Sequence, residues 1–143
     1  MNVSTIVEID DLEVLYVAST TGPCGASDAF ERLEAHLPSL RGRRFYGVFD
    51  GNEYRACVAV SPGDDPAAWG LPRCVVPGGR YARVKLVGWR ERVSEIREAF
   101  ARLIAEHGDD ETRPAIEFYR SSRELILLSP VPAAGGRSEG ERS

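Results

Sequence analysis

The sequence predicts an α+β fold: a tandem βαββ repeat with pseudo-twofold symmetry, forming one antiparallel sheet with two helices on one face. Three observations predict it. The stretch Ala29-Phe30-Glu31-Arg32-Leu33-Glu34-Ala35 recurs as Ala99-Phe100-Ala101-Arg102-Leu103-Ile104-Ala105, the signature of an internal duplication. The same shift along the chain lays Phe45 to Phe49 on Ala115 to Tyr119 and Arg55 to Val58 on Leu125 to Leu128. Each helical segment also carries a single apolar stripe, which needs a sheet to cover it.

Taken in order, the segment from Thr5 to Thr21 holds Leu12 to Ala18, rich in strand formers, and Gly22-Pro23-Cys24-Gly25 breaks it. Ser27 is placed to cap a helix from Asp28 to about Leu37, with Phe30, Leu33 and Leu37 on its buried stripe and Pro38 ending it. Two strands follow, Arg44 to Phe49 and Tyr54 to Val60, joined by the hairpin signal Asp50-Gly51-Asn52-Glu53. The Pro- and Asp-rich stretch from Ser61 to Trp69 predicts a surface loop. Cys74-Val75-Val76 then leads through Pro77-Gly78-Gly79 into a strand from Arg80 to Val87, which ends at Gly88-Trp89. A second helix is expected from about Glu91 to Glu106. The strand ends before the two helices, Gly22 and Gly88, match at a slightly shorter shift, read as one extra turn in this second helix. Strands from Ala115 to Tyr119 and Glu124 to Leu128 close the second repeat. Repeat one thus runs over about 5–61 and repeat two over about 74–131, within one domain of 1–131. The small, polar residues 132–143 are expected to form a flexible C-terminal tail.

The chain has 143 residues, 43% hydrophobic and 28% charged, ordinary values for a globular domain with a real core. No apolar run is long enough to span a bilayer and the N-terminus lacks the features of a signal peptide, so a cytoplasmic protein without membrane contact is expected. A formal net charge of -4 argues against direct nucleic-acid binding, and the one basic cluster, Arg41-Gly42-Arg43-Arg44, falls in an expected loop. Cys24, Cys57 and Cys74 are too scattered for a metal site or a disulfide framework, so no metal is expected. Cys57 reads as a core residue. Cys24, just ahead of a helix, is either a plain turn residue or a thiol with a lowered pKa. His36 and His107 each sit in the last turn of a helix, where a positive charge is favourable, and both read as structural.

The strand Ala115 to Tyr119 carries the functional argument. Its alternation puts Ile116 and Phe118 on one face and Ala115, Glu117 and Tyr119 on the other. A carboxylate there is either solvated on an open sheet face or buried at the floor of a pocket. The duplication adds a pointer: the counterpart of Glu117 is Gly47 and that of Tyr119 is Phe49, so a missing side chain leaves room beside an acid.

Four stretches carry a likeness to a known family: Tyr16-Val17-Ala18 leading to Thr21-Gly22-Pro23; Phe45 to Asp50; Val76 to Ala82 leading to Gly88; and Glu117-Phe118-Tyr119 followed by Ser129-Pro130-Val131. In their order and spacing, over about Val7 to Val131, the chain resembles the GyrI-like small-molecule-binding family, built from SHS2 modules. That family comprises effector-binding domains of AraC- and MerR-type regulators and free-standing proteins. No DNA-binding segment precedes the matching stretch, so the resemblance implies a free-standing member.

It also implies multidrug-type capture of aromatic, amphipathic or cationic ligands in an apolar pocket between the repeats, without a cofactor. Glu117 would lie at the base, with Tyr119, Trp89, Phe49, Gly47 and Cys24 around it. Cys24 stands where many members have tyrosine. From the residues themselves, Trp89 either lines the pocket or seats the helix start, and Phe49 and Tyr119 either line it or belong to the core, while Tyr46 reads as core. Two alternatives follow from the same resemblance. One is a hydrolase of cyclopropane-bearing genotoxins with Glu117 as its catalytic group. The other is a protein-protein role, with a topoisomerase such as gyrase or a separate regulator as partner.

Overall fold

In the computed structural model residues 3–133 are described, and the expected tail lies outside them from residue 134 onward. The elements are β1 (Thr5–Ile9), β2 (Leu12–Ala18), α1 (Ala26–Ala35), β3 (Phe45–Phe49), β4 (Tyr54–Ala59), the short α2 (Pro66–Trp69), β5 (Arg73–Val76), β6 (Gly79–Val87), α3 (Ile96–His107), β7 (Ala115–Tyr119) and β8 (Glu124–Pro130). All eight strands form one antiparallel sheet in the order β1-β6-β8-β7-β3-β4-β2-β5. The order reads the same from either end once the halves are exchanged, with β7 and β3 meeting at the centre. The predicted α+β tandem repeat is therefore the observed architecture.

The edge strands add what the repeat alone does not predict. β1 belongs to the first repeat by sequence but pairs with β6 of the second, and β5 pairs back onto β2 of the first. Only Asp10 and Asp11 separate β1 from β2, which lie six strand positions apart in the sheet. At the usual strand spacing of about 4.8 Å a flat sheet would put them roughly 29 Å apart. A link with two intervening residues reaches only about 10 Å. The sheet must therefore curl into a half-barrel, with its two edges drawn together at the end where these links lie. There the second link, between β5 and β6, crosses the first: the Gly78 amide donates to Asp11 Oδ1 at 2.8 Å, and a Cβ on Gly78 would overlap the backbone of Ile9 to Asp11.

Curling gives the sheet an inner and an outer face. Val14, Tyr46, Val48, Cys57, Tyr81, Ile116 and Ile126 fill the inner one. On the outer face Leu33 of α1, with Leu37 just after the helix, is buried against Leu15 and Val58, and α3 buries Leu103 against Leu86, Leu125 and Leu127. The two helices sit side by side over opposite halves of the sheet, so a furrow is left between them above β3 and β7.

Local boundaries differ from expectation for identifiable reasons. Helix α1 starts at Ala26, after a 3-10 turn over Gly22–Gly25, so Ser27 lies inside the first turn and makes no cap. Asp28 does lie in that turn, where it pairs with Arg32 at 2.9 Å. Helix α3 starts at Ile96 and not near Glu91, because Trp89–Glu91 and Val93–Glu95 form separate 3-10 turns. The extra length of the second repeat lies in those turns, ahead of the helix, and not in an added turn within it. The expected loop over 61–69 contains α2, whose first turn is held by Asp65 accepting from the Ala68 amide.

Arg43, in the basic cluster, is committed to structure. It makes a two-pronged pair with Asp64 at 3.0 and 2.9 Å and donates to the Ala59 carbonyl, fastening the approach to β3 onto the loop after β4. The histidines are likewise tied in, His36 to the Trp69 carbonyl and His107 to Ser4. Among the described residues no helix is long and apolar enough to cross a membrane, and no group of three or more Cys, His, Asp or Glu is arranged to hold a metal.

If the crossing of the two links closes the half-barrel, Gly78→Ala should destabilise the protein by roughly 1–3 kcal/mol, the usual cost of forcing atoms into a filled site. Urea unfolding measures this. An unchanged midpoint would show that the links tolerate separation.

Candidate functional site

The furrow between the helices is a cleft of about 920 Å³ on the outer face. This lies within the size range of small-molecule sites. Its floor is the β3–β7 pair, with Gly47 and Phe49 from one strand and Ala115, Glu117 and Tyr119 from the other. One wall is the 3-10 turn before α1 with Pro23 and Cys24, and the opposite wall is the row Val93, Ile96, Phe100 and Ile104 leading into and along α3. Val93, in the 3-10 turn before α3, and Ile104, on α3 itself, are 56% and 40% exposed, high values for large apolar residues beside a helix that packs against a sheet. Their apolar surface faces the cleft without a protein partner, which is what an apolar ligand needs.

Gly47 and Glu117 are direct partners in the β3–β7 ladder. Because Gly47 has no side chain, the space above it is filled from two sides. Tyr54 reaches in from β4 and donates its hydroxyl to Glu117 Oε1 at 2.7 Å, and Tyr119 donates to the same oxygen at 2.8 Å. A Cβ on Gly47 would overlap both the Tyr54 hydroxyl and the Glu117 carboxylate. Among the described residues no donor reaches Glu117 Oε2, which keeps contact with the cleft's solvent.

Burial pushes the Glu117 carboxyl above the ordinary carboxylate range, and the two tyrosine hydroxyls oppose this only in part. As a residue Glu117 is only half-buried, yet the protein around its carboxyl makes desolvation the dominant effect. Burial and then the Glu117 charge raise both tyrosines, so they remain neutral donors at physiological pH.

Four of the residues picked from the sequence, Gly47, Phe49, Glu117 and Tyr119, come together on the cleft floor, and Cys24 lies on the wall. The Cys24 thiol donates to the Thr21 carbonyl at 2.9 Å, a turn-closing bond. Trp89 is placed differently: it is not among the residues lining the cleft. Gly88, with a positive φ of 72°, opens a 3-10 turn that directs Trp89 toward the β7–β8 hairpin, where its indole N–H donates to the Ser121 carbonyl at 3.1 Å. Its ring meets Tyr119 edge-on at 5.1 Å, and Phe30 meets Tyr119 edge-on at 5.2 Å. Trp89 thus supports Tyr119 from outside the cleft. Tyr46 is buried in the inner core, stacked on Phe118.

Tyr54 was not legible as a site residue. The available signal was that Gly47 pairs with Ala56, so the tyrosine two residues before Ala56 lies diagonally across the gap that Gly47 leaves.

No protein-family model and no curated protein matches the sequence. The fold does match solved structures. An integron cassette protein from the mobile metagenome of Vibrio cholerae superposes with a TM-score of 0.67 at 16% identity, over 90% of this chain and 95% of that one. The C-terminal domain of EcmrR gives 0.63 at 11% identity, over 92% and 98%. SAV2435, whose structure is bound to tetraphenylphosphonium, gives 0.60 at 12% identity, over 97% and 99%. The chain shares the whole fold with these proteins; identities this low speak for the fold alone.

The raised Glu117 carboxyl has a consequence for stability. A carboxyl whose pKa is higher folded than unfolded contributes stability at pH values below its ordinary range, and that contribution is lost as pH rises through the folded value. Glu117→Gln should therefore raise Tm relative to the parent at pH 7, with the difference shrinking toward pH 4. A lower Tm at pH 7 would mean that the charged carboxylate is the stabilising form.

Proposed function

We propose that this protein is a GyrI-like small-molecule-binding protein that captures amphipathic aromatic or cationic ligands in the cleft, with Glu117 at its base. The observation that carries the reading is the state of the Glu117 carboxylate: one oxygen held by two tyrosines, the other without a protein donor, in an apolar cleft with exposed aliphatic walls. A buried carboxylate with a raised pKa lacks a counter-charge, and a ligand cation would supply it. In such surroundings a unit charge counts for several times more than in water. Phe49, Phe100 and Tyr119 offer ring surface to the same ligand, with cation-π contacts of about 0.5–2 kcal/mol each. The fold shared with SAV2435 makes tetraphenylphosphonium a reasonable first ligand.

Calorimetric titration with tetraphenylphosphonium tests the reading. The cation's charge does not change with pH, so affinity should strengthen as pH rises through the Glu117 pKa and then level off. Glu117→Gln should weaken binding about tenfold or more, equivalent to about 1.4 kcal/mol, and flatten the pH profile. Binding that ignores both the substitution and pH would remove Glu117 from the site. Gly47→Ala should also weaken binding, by displacing Tyr54 and the carboxylate.

One observation favours a second reading, hydrolysis of an electrophilic cyclopropane-bearing aromatic compound. A carboxyl with a raised pKa and a free Oε2 facing the cleft has the features of a general base toward water. The carboxylate would take a proton from water as the water oxygen bonds to the strained carbon and the ring C–C bond opens, its electron pair passing into the electron-withdrawing group conjugated with the ring, which is then protonated. Incubation with such a compound and product analysis distinguishes the readings: turnover abolished by Glu117→Gln supports hydrolysis, and stoichiometric binding without product excludes it.

A further inference from the structure

The two ends of the central β3–β7 pair carry opposite charge. Beyond Phe49 and Ala115 lie Asp50, Asp109 and Glu111 on the rim of the cleft already described, with one arginine, Arg113, that is paired with Asp110. At the other end Arg44 and Arg120 flank the first ladder pair, Phe45 and Tyr119. With Arg43, Tyr46, Phe118 and Tyr119 they line a second cavity of about 420 Å³. Tyr46 and Phe118 point to the inner face, where their rings stack at 4.8 Å.

The charges at this cavity do not balance. Among the described residues Arg44 has no carboxylate partner; it lies beside the Tyr46 hydroxyl, where it opposes the upward push of burial on that phenol. Arg120 has only Glu124, at 3.6 Å, and Glu124 is shared with Lys85 at 3.7 Å. Arg43 is neutralised by Asp64, but its side chain is only 10% exposed and its Nε has no hydrogen-bond partner. Two guanidinium groups thus share one small cavity with no acid between them, in a chain whose net charge is -4. Like charges brought together at the end of a strand pair cost stability.

We propose that this cavity is an oxyanion-binding site, separate from the cleft, which takes a small organic phosphate or carboxylate between Arg44 and Arg120 above the Tyr46–Phe118 stack. Guanidinium forks suit either headgroup, because both present paired oxygens to parallel N–H donors. The cavity exceeds what a bare ion fills, which leaves room for the organic part of the ligand.

The test is an NMR titration of the isotopically labelled full chain with phenyl phosphate and, separately, benzoate, at ionic strength held constant with chloride. Saturable shifts of the amides of Arg44 to Tyr46 and Phe118 to Arg120 are expected with at least one anion, and the tighter one identifies the headgroup. Affinity should fall about tenfold in the Arg44→Gln/Arg120→Gln double variant and be unchanged in Glu117→Gln, which separates this site from the cleft. The double variant relieves repulsion, so it should melt no lower than the parent. If it does melt lower, Arg44→Lys, which keeps the charge but loses the fork, replaces it and should weaken binding in the same direction. Shifts that fail to saturate with either anion, or that survive loss of both arginines, overturn the proposal.

Discussion

The candidate site depends on a missing atom at the centre of the sheet. Gly47 and Glu117 are partners across the β3–β7 ladder, where the two repeats meet, and the absence of a Cβ at Gly47 admits the Tyr54 hydroxyl and the Glu117 carboxylate together. Had both repeats kept a side chain at this position, the seam would be closed by packing. The duplication supplies a symmetric frame, and one asymmetric pair turns its midline into the candidate site. The supports of Tyr119 extend outward from there, with Phe30 of α1 on one side and Trp89 on the other. Each half of the molecule thus holds the same ring in place.

Much of the frame was legible in the chain because duplication repeats its evidence. The matching helices and hairpins predicted two βαββ units in one antiparallel sheet, and the alternation from Ala115 to Tyr119 predicted which side chains share a face. The curl was not legible, because it comes from edge strands exchanged between the repeats. Short apolar stretches such as Thr5–Ile9 and Arg73–Val76 do not state their partners. Only the family resemblance puts Trp89 at the pocket; the residues themselves leave it between the pocket and the helix start. Its true direction depends on the 3-10 turns between Gly88 and Ile96, which strand and helix periodicity do not register. Tyr54 is not legible in the chain because its role exists only in relation to Gly47 on the neighbouring strand.

The electrostatics follow the same logic of a symmetric frame carrying asymmetric residues. The strand pair at the seam has acids beyond one end and arginines beyond the other. The strongly desolvated carboxylate on the cleft floor, that of Glu117, lies between them on the outer face. Arg113, which also lines the cleft, is engaged by Asp110 at 3.1 Å and by the Val131 carbonyl at 2.7 Å, so its charge is largely spent within the protein. Arg97 also lines the cleft, but against the two arginines stand four acids, Asp50, Asp109, Glu111 and Glu117, so the lining keeps a negative balance.

The exchanged edge strands bear on how the molecule comes to exist at all. Neither repeat can complete its own sheet: β6 waits for a strand made at the start of the chain, and β2 for one made halfway along it. Pairings this distant in sequence must meet the entropy of closing long loops before they return any energy, which places such a protein among the slower folders. The same interlock means that opening either edge exposes unpaired strands in both halves, so the two repeats are bound to unfold in a single cooperative event.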